Sequence, residues 1–280
     1  TRSGRPWGLT QSSPALAATE QRVTTEATPA NVRCNDVLAV TRVVWVSGGK
    51  DSTAMALRLA ELQPDVPWRY VCTPTRNELP EVHDHWETLG ELLGRPLERL
   101  EHPLGLGGLI DAQQMLPSHA ARWCTRMLKI QPALAFYAKH APCVAYVGLR
   151  ADEPERRGLF GDKVPQAYPL REWGWGLADV KNYLHHRGVT VPKRTDCAWC
   201  YDQSLPDWWE LWHRYPAVWE QGEEVEAKHG HTFRSPARDT WPVRLVDLRQ
   251  RFERGDVPRN TELNRDLFDE EPTRCRACLL

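Results

Sequence analysis

Val43-Val44-Trp45-Val46-Ser47-Gly48-Gly49-Lys50-Asp51-Ser52-Thr53-Ala54-Met55 is the stretch whose reading decides the fold. The apolar run before it, from Leu38 to Val46, is short and ends at glycine, as expected of a buried parallel strand. After it, Ala54, Met55, Leu57, Leu59, Ala60 and Leu62 recur with helical spacing from Ser52 to Leu62 and stop before Pro64. Strand, loop and helix follow in that order. In the loop, two glycines let backbone N–H groups approach an anion, and the start of the helix adds its positive end. The hydroxyls of Ser47 and Ser52 and the ammonium of Lys50 complete a phosphate cradle. A Walker A loop is excluded, because it needs four residues between its first glycine and the Gly-Lys-Ser/Thr.

Outward from this stretch the alternation continues. Trp68 to Thr73 predicts a second strand, His83 to Leu93 a second helix ending at Gly94, and Leu97 to Leu100 a third strand. Cys124 to His140 has helical periodicity despite Pro132, and Cys143 to Leu149 is another buried strand leading into Gly148-Leu149-Arg150. The expected fold class is therefore α/β, a doubly wound parallel sheet with ligands at the carboxyl ends of its strands. Beyond residue 160 the character changes to an α-rich appendage. Trp173-Gly174-Trp175-Gly176 reads as a loop, Leu177 to Arg187 as a helix, and Asp207 to Lys228 as one long aromatic helix or a pair. The division expected is a flexible arm over 1–36, rich in Thr, Ala, Ser, Gln and Pro, a nucleotide-binding α/β domain over 37–160, and an α-rich, Trp-rich region over 161–280.

With 280 residues the chain can bury a sizeable core without disulfides. A formal net charge of −1 leaves no global field to drive it onto a nucleic acid or an anionic membrane, so any nucleic-acid surface must be local. No stretch approaches the ~20 apolar residues of a membrane-spanning helix, and the expected setting is soluble and cytoplasmic, with no membrane partner. In that compartment the eight Cys residues read as metal ligands or reactive thiols. Thirteen Trp residues, most of them outside the nucleotide segment, demand a separate reason.

Three further motifs carry chemistry. Arg122-Trp123-Cys124-Thr125-Arg126-Met127-Leu128-Lys129 sets a thiol among cations, which favours thiolate; a basic solvated helix start is the plainer alternative. Gly148-Leu149-Arg150-Ala151-Asp152-Glu153-Pro154-Glu155-Arg156-Arg157 lies on the ligand side of the sheet, where Arg150 with Arg156 or Arg157 can bind phosphate or sulfate; a solvated loop is its alternative. Cys197-Ala198-Trp199-Cys200 and Cys275-Arg276-Ala277-Cys278 are two CxxC pairs, a metal signal that leaves zinc and iron open. Cys34, Cys72 and Cys143 carry no spacing signal, and the latter two read as core residues in strands. Asp51 is either an aid to metal binding or a plain helix N-terminal acid.

Ser47-Gly48-Gly49-Lys50-Asp51-Ser52 resembles the pyrophosphate-binding loop of the PP-loop, or adenine-nucleotide α-hydrolase, superfamily. Taken in order with the Cys124 and Arg150 elements, it resembles the phosphoadenosine-phosphosulfate reductase family, and in motif style its ATP-dependent sulfur-transfer branch, over roughly residues 40 to 205. That resemblance implies ATP with Mg²⁺ as cofactor and cleavage at the α-phosphate to AMP and pyrophosphate, activating an acceptor for sulfur transfer. Ser47, Gly48, Gly49, Lys50, Asp51, Ser52 and Arg150 would bind the nucleotide. Lys50, Asp51, Arg150 and Cys278 would be the catalytic group, Cys278 as a positional analogue of the family's tail cysteine, although the family's Glu-Cys-Gly tail motif is absent. Related adenylyl-sulfate reductases hold a 4Fe-4S cluster on a tandem Cys pair and a distant CxxC. Here Trp123 replaces the first of the tandem pair, so Cys124, Cys197 and Cys200 would supply three ligands, with Cys275 or Cys278 as a fourth or an iron left open. A structural Zn²⁺ on the two CxxC pairs with Cys124 free is the competing assignment. Implied partners are a sulfur donor, such as a cysteine desulfurase or sulfide, and an acceptor among which nucleic acid stays open, as does a homodimer. A reductase acting on a sulfonucleotide, and a non-catalytic nucleic-acid-binding module, stand as alternatives.

For that last alternative Trp208, Trp212, Tyr215 and Trp219 share one face of a single helix and can stack bases, although a core-packing stripe is the stronger account. His231 to Asp239 is either a substrate loop or a surface connection.

Overall fold

The computed structural model describes residues 40–158, 160–236, 238–259 and 261. The expected arm over 1–36 and the residues Cys34, Cys275 and Cys278 lie outside the described residues.

Five strands form one all-parallel sheet: β1 (Thr41–Trp45), β2 (Arg69–Cys72), β3 (Glu98–Arg99), β4 (Cys143–Tyr146) and β5 (Gln166–Ala167), in the order β3-β2-β1-β4-β5. The first three strands step outward from β1 in one direction, and β4 returns to its other side, so the order reverses between β1 and β4. Such a switch point opens a crevice at the carboxyl ends of the two strands. Strand residues alternate between two cores, as a period of two requires. Val44 packs with Met55, Leu57 and Leu59 of helix α1 (Lys50–Leu62) and with Val82, Trp86 and Leu89 of α2 (Pro80–Leu92). Val43, Val71 and Ala145 face the opposite way, onto Ala133, Phe136 and Tyr137 of α5 (Gln131–Lys139). Cys72 and Cys143 are buried in β2 and β4, and burial pushes the Cys72 thiol up to about 12, so both are inert core residues.

Two elements escaped the sequence pattern. Helix α3 (Gly105–Gln113) arises from Gly105-Leu106-Gly107-Gly108-Leu109-Ile110, whose glycines read as turn signals until Leu106, Leu109 and Ile110 are buried on one side. Strand β5 lies past residue 160, so the sheet extends into the segment assigned to the appendage. The segment expected as one helix from Cys124 is three pieces: α4 (Trp123–Thr125), a π-helical turn (Arg126–Ile130) and α5, with Pro132 near the start of α5. Proline is tolerated in a first turn, where its missing N–H would be unbonded in any case.

In the later half of the chain, α6 (Pro169–Glu172) and α7 (Leu177–His186) follow β5, and α7 packs against α1 through Val180 and Leu184. Then come α8 (Leu205–Arg214), α9 (Pro216–His229) and α10 (Leu245–Glu253). Of the two forms expected for the aromatic stretch, one helix or a pair, the structure has the pair, broken where Tyr215 precedes Pro216; proline disfavours a helical residue before it. Ser204 caps α8, accepting from the N–H of Asp207 at 3.4 Å while the Asp207 carboxylate accepts from the N–H of Ser204 at 2.8 Å. Trp208 and Trp219 are fully buried with Trp199, Phe233, Leu245 and Phe252, which explains the concentration of Trp in this half. Large rings fill a core that three short helices could not close with aliphatic side chains alone. Among the described residues no helix is long and apolar enough to cross a membrane.

Candidate functional site

The loop after β1 is tied to itself by hydroxyls. Ser52 Oγ accepts from the N–H of Ser47 at 3.2 Å, lies 3.1 Å from Ser47 Oγ, and donates to the carbonyl of Gly49 at 3.0 Å. Gly49 is the cap of α1, whose first bond runs from the N–H of Thr53 to its carbonyl at 3.0 Å. Gly48 sits at φ +85°, in the left-handed region, and a Cβ there would stand 2.7 Å from Nε1 of Trp86. Only glycine meets both conditions. Behind the loop, Thr53 Oγ1 and His85 Nε2 pair at 2.9 Å in a buried contact between α1 and α2, and burial pushes His85 below its ordinary value.

The turn after β4 closes the switch point from the other side. Gly148 lies against the first turn of α1, where a Cβ would meet Ser52 N at 3.0 Å and Asp51 C at 3.1 Å. Arg150 follows. Its Nη1 donates to both oxygens of Asp51 at 3.1 and 3.0 Å, its Nε to Asp152 at 2.8 Å, and its Nη2 approaches Glu153 at 3.1 Å. Arg171 of α6 fixes the same turn, donating to the carbonyls of Arg150, Glu153 and Arg156. Burial works against the Arg150 cation, but the carboxylates of Asp51, Asp152 and Glu153 outweigh it and raise its pKa. Burial likewise pushes the Asp51 carboxyl up, against the pull of Arg150 and Lys50.

This geometry gives Arg150 and Asp51 partners that the sequence did not show. Arg150, expected to bind nucleotide or acceptor anion, is 3% exposed and spends its guanidinium on three carboxylates. A buried charge is tolerable only when paired. Asp51, expected as a metal aid or a plain helix acid, instead clamps the loop after β1 to the turn after β4. Arg156 is likewise paired, with Glu153 at 2.7 Å, whereas Arg157 is exposed.

The second half of the site follows β2, the neighbour of β1. Thr75 lines a small cavity of about 20 Å³ together with Leu106, Cys124, Lys129, Cys197, Cys200 and Tyr201. The Cys197–Cys200 turn is anchored from three directions. Asn77 accepts from the N–H of Ala198 at its carbonyl (2.5 Å) and from the N–H of Trp199 at Oδ1 (2.9 Å). Arg194 donates to the carbonyl of Cys197 at 3.2 Å and to Gln203 at 2.7 Å. Arg238 of the His231–Asp239 segment donates to the carbonyls of Tyr201 and Asp202 at 3.3 and 3.0 Å. In the same segment Arg234 is buried and bidentate on Asp239, so this stretch is packed structure with one arm on the thiol turn.

Cys124, Cys197 and Cys200 thus come together from segments far apart in sequence. The thiolate expected at Cys124 is not favoured: burial pushes that thiol up, as does the nearby Cys200, and Lys129 pulls down too weakly to reverse them. A hydrogen bond to Cys200, burial and the charge of neighbouring thiols push Cys197 well above its ordinary value. Among the described residues no group of three or more His, Cys, Asp or Glu stands ready to hold a metal ion, so the thiols share a cavity without forming a preformed coordination set. Cations near a thiol in sequence do not set its pKa once the side chain turns inward.

Sequence reasoning missed Thr75, Asn77, Trp86, Arg171, Arg194 and Gln203. The position of Thr75 and Asn77 just past a predicted parallel strand was the available signal; the others carried none. Trp208 and Trp219 lie in separate helices and are buried in one core, as the core-packing account of these residues expects, which takes them from the base-stacking alternative.

The model of the phosphoadenosine phosphosulfate reductase domain matches residues 41–193, more than half of the chain. The chain belongs to that family. The family match takes in both sides of the switch point and stops just before the Cys197–Cys200 turn. Among solved structures, a phosphoadenylyl-sulfate reductase from Candida auris, in a phosphate complex, is similar at 14% identity over 54% of this chain and 74% of that one, with a TM-score of 0.45. The U34-tRNA thiolase NcsA from Methanococcus maripaludis, with its 4Fe-4S cluster, is similar at 17% identity over 87% and 82%, with a TM-score of 0.43. At such scores neither likeness bears on what this chain acts on. No curated protein sequence matches it.

Proposed function

We propose that this family member binds ATP on the Ser47–Ser52 loop and cleaves it at the α-phosphate to activate an acceptor for sulfur transfer. One juxtaposition carries the proposal. A hydroxyl-braced, glycine-closed loop ends β1, while three thiols line one cavity whose Thr75 ends the adjacent strand β2. In this reading Gly48, Gly49, Lys50 and Ser52 hold the phosphates, with Mg²⁺ on the phosphate oxygens, and the Asp51–Arg150 clamp keeps the loop at the switch point. An acceptor oxygen attacks the α-phosphorus, the bond to the β-phosphate oxygen breaks, and pyrophosphate leaves with that electron pair. Sulfide then attacks the carbon that bears the adenylylated oxygen, and AMP departs with that oxygen and its electron pair; a desulfurase persulfide attacking in the same way leaves an acceptor disulfide, which a second thiol must reduce to free the thiolated product.

In this reading Cys124, Cys197 and Cys200 would hold an iron–sulfur cluster. Three thiols is one short of the four that close a cubane site, with Cys275 or Cys278 as the remaining candidate. The zinc assignment leaves Cys124 free, and Cys124 stands on the same cavity as Cys197 and Cys200. When bound, such a group would supply a site for the sulfur in transit. The surrounding residues hold the CxxC turn through Asn77, Arg194 and Arg238.

The full chain, purified anaerobically and supplied with ATP, is expected to release pyrophosphate, to lose that activity in Lys50→Ala, and to carry iron with acid-labile sulfide. Release of sulfite from a sulfonucleotide, with no pyrophosphate from ATP, would establish the reductase alternative instead. A colourless protein with stoichiometric zinc would remove the cluster from the proposal.

A further inference from the structure

Trp86 is 4% exposed, and its indole N–H has no hydrogen-bond acceptor. A buried donor left without a partner costs free energy, and in a native protein it usually marks a missing acceptor. Two other buried indoles, Trp123 and Trp208, share this lack but belong to the helical core of the later half. Trp86 differs in its aim. From the point where a Cβ of Gly48 would stand, Nε1 is 2.7 Å away, while its ring neighbours Cδ1 and Cε2 are 3.3 and 3.6 Å away, so the N–H edge is what faces the loop.

The ring is fixed in that pose. It packs with Val82 and Leu89, meets His83 edge-on at 5.5 Å, and carries the Arg99 guanidinium at 5.6 Å. An indole donates and cannot accept, so its natural partner is an oxygen with lone pairs. The loop it faces presents the start of α1 and backbone N–H groups, which also select an anion. Gly48, by lacking a side chain, is what lets this donor reach the loop.

We propose that Trp86 is a phosphate ligand, its indole N–H donating to an oxygen of the pyrophosphate portion of the nucleotide seated on Ser47–Ser52. The inference rests on the reading of that loop as a phosphate site. It adds a side-chain donor from α2 to a cradle otherwise built from the loop and α1, and it explains why the position holds tryptophan and not another large apolar residue. A phenylalanine would fill much of the same space and lack the donor.

The test is calorimetric titration of the full chain with magnesium pyrophosphate. Native protein is compared with Trp86→Phe and with protein carrying 3-benzothienylalanine at position 86, which keeps the shape of the indole and replaces N–H by sulfur. Affinity is expected to fall about tenfold or more in both, the scale of a hydrogen bond to a charged group, while the thermal midpoint of the benzothienyl protein stays native. In ¹⁵N-Trp-labelled native protein, the indole signal missing from that analogue should move on pyrophosphate addition. If the analogue binds pyrophosphate as tightly as native protein, or its signal stays still on saturation, Trp86 is not a ligand and the loop reading stands. If native protein binds no pyrophosphate, the loop reading falls and this inference with it.

Discussion

The loop at Ser47–Ser52 and the cavity at Cys124, Cys197 and Cys200 lie at the ends of adjacent strands and are built by opposite means. The loop is contiguous: its shape comes from glycine torsion and from hydroxyls that bond within a few residues. The cavity is assembled: its thiols come from α4 and from a turn that Asn77, Arg194 and Arg238 hold from elsewhere in the chain. A contiguous site can be written into a short motif and damaged by one backbone change. An assembled site depends on packing, and its chemistry follows burial more than neighbouring charge.

The largest effect that separates the two is expected at the clamp. Arg150→Ala leaves the half-buried carboxylate of Asp51 without its guanidinium and Glu153 with Arg156 alone, and removing one partner of such a set costs about 3–5 kcal/mol. Chemical denaturation should show that loss, and pyrophosphate binding should fall with it. Wild-type stability in this variant would mean that the switch point is held by something other than the ion cluster. Gly48→Ala comes next, combining left-handed strain with a clash against Trp86 for about 2–4 kcal/mol, and the reactivity of the three cavity thiols should stay native. Equal disturbance of thiols and loop would argue that the two regions are one cooperative unit.

A smaller effect concerns the helical core behind the cavity. Glu226 accepts the N–H groups of Phe233 and Leu245 at 2.9 and 2.7 Å, yet burial outweighs those donors and pushes its carboxyl up to about 7 from an ordinary 4.5. The folded state then binds the proton more tightly than the unfolded chain. This contribution is fully present below the unfolded value and is lost as pH rises through the folded one. Raising the pH from about 5 to about 8 should cost wild type roughly 1–3 kcal/mol more than Glu226→Gln, measured as the difference between two pH series of unfolding free energies. Parallel series would refute it. Smallest is Asn77→Ala, which removes one side-chain acceptor from the N–H of Trp199 for about 1 kcal/mol. Cavity thiols should react faster with a disulfide reagent while pyrophosphate affinity is unchanged; a change in affinity alone would place Asn77 in the nucleotide half.

Much of this was legible beforehand. Val43 to Val46 and the glycines after them specified strand, nest and helix, since each signal is local and repeats with its own period. Cys72 and Cys143 were read as core because they sat in apolar runs. Arg150 was placed past the end of a strand without its partners, because sequence shows a cation near a strand end and not the three carboxylates that enclose it. Helix α3 was missed because glycine spacing masks an apolar face that only its neighbours reveal, and Trp86 carried no mark at all.

By itself, the sequence determined the strand, glycine loop and helix around Ser47–Ser52 and the parallel alternation, because those depend on backbone torsion and on spacing along one element. Tertiary structure decided that β1 and β4 flank the switch point, that Arg150 locks Asp51, that Cys124 joins the CxxC turn, and that an indole N–H faces Gly48. Each of those is a contact between distant segments, and its energetics are set, for or against, by burial, which no single stretch of chain possesses before the whole has folded.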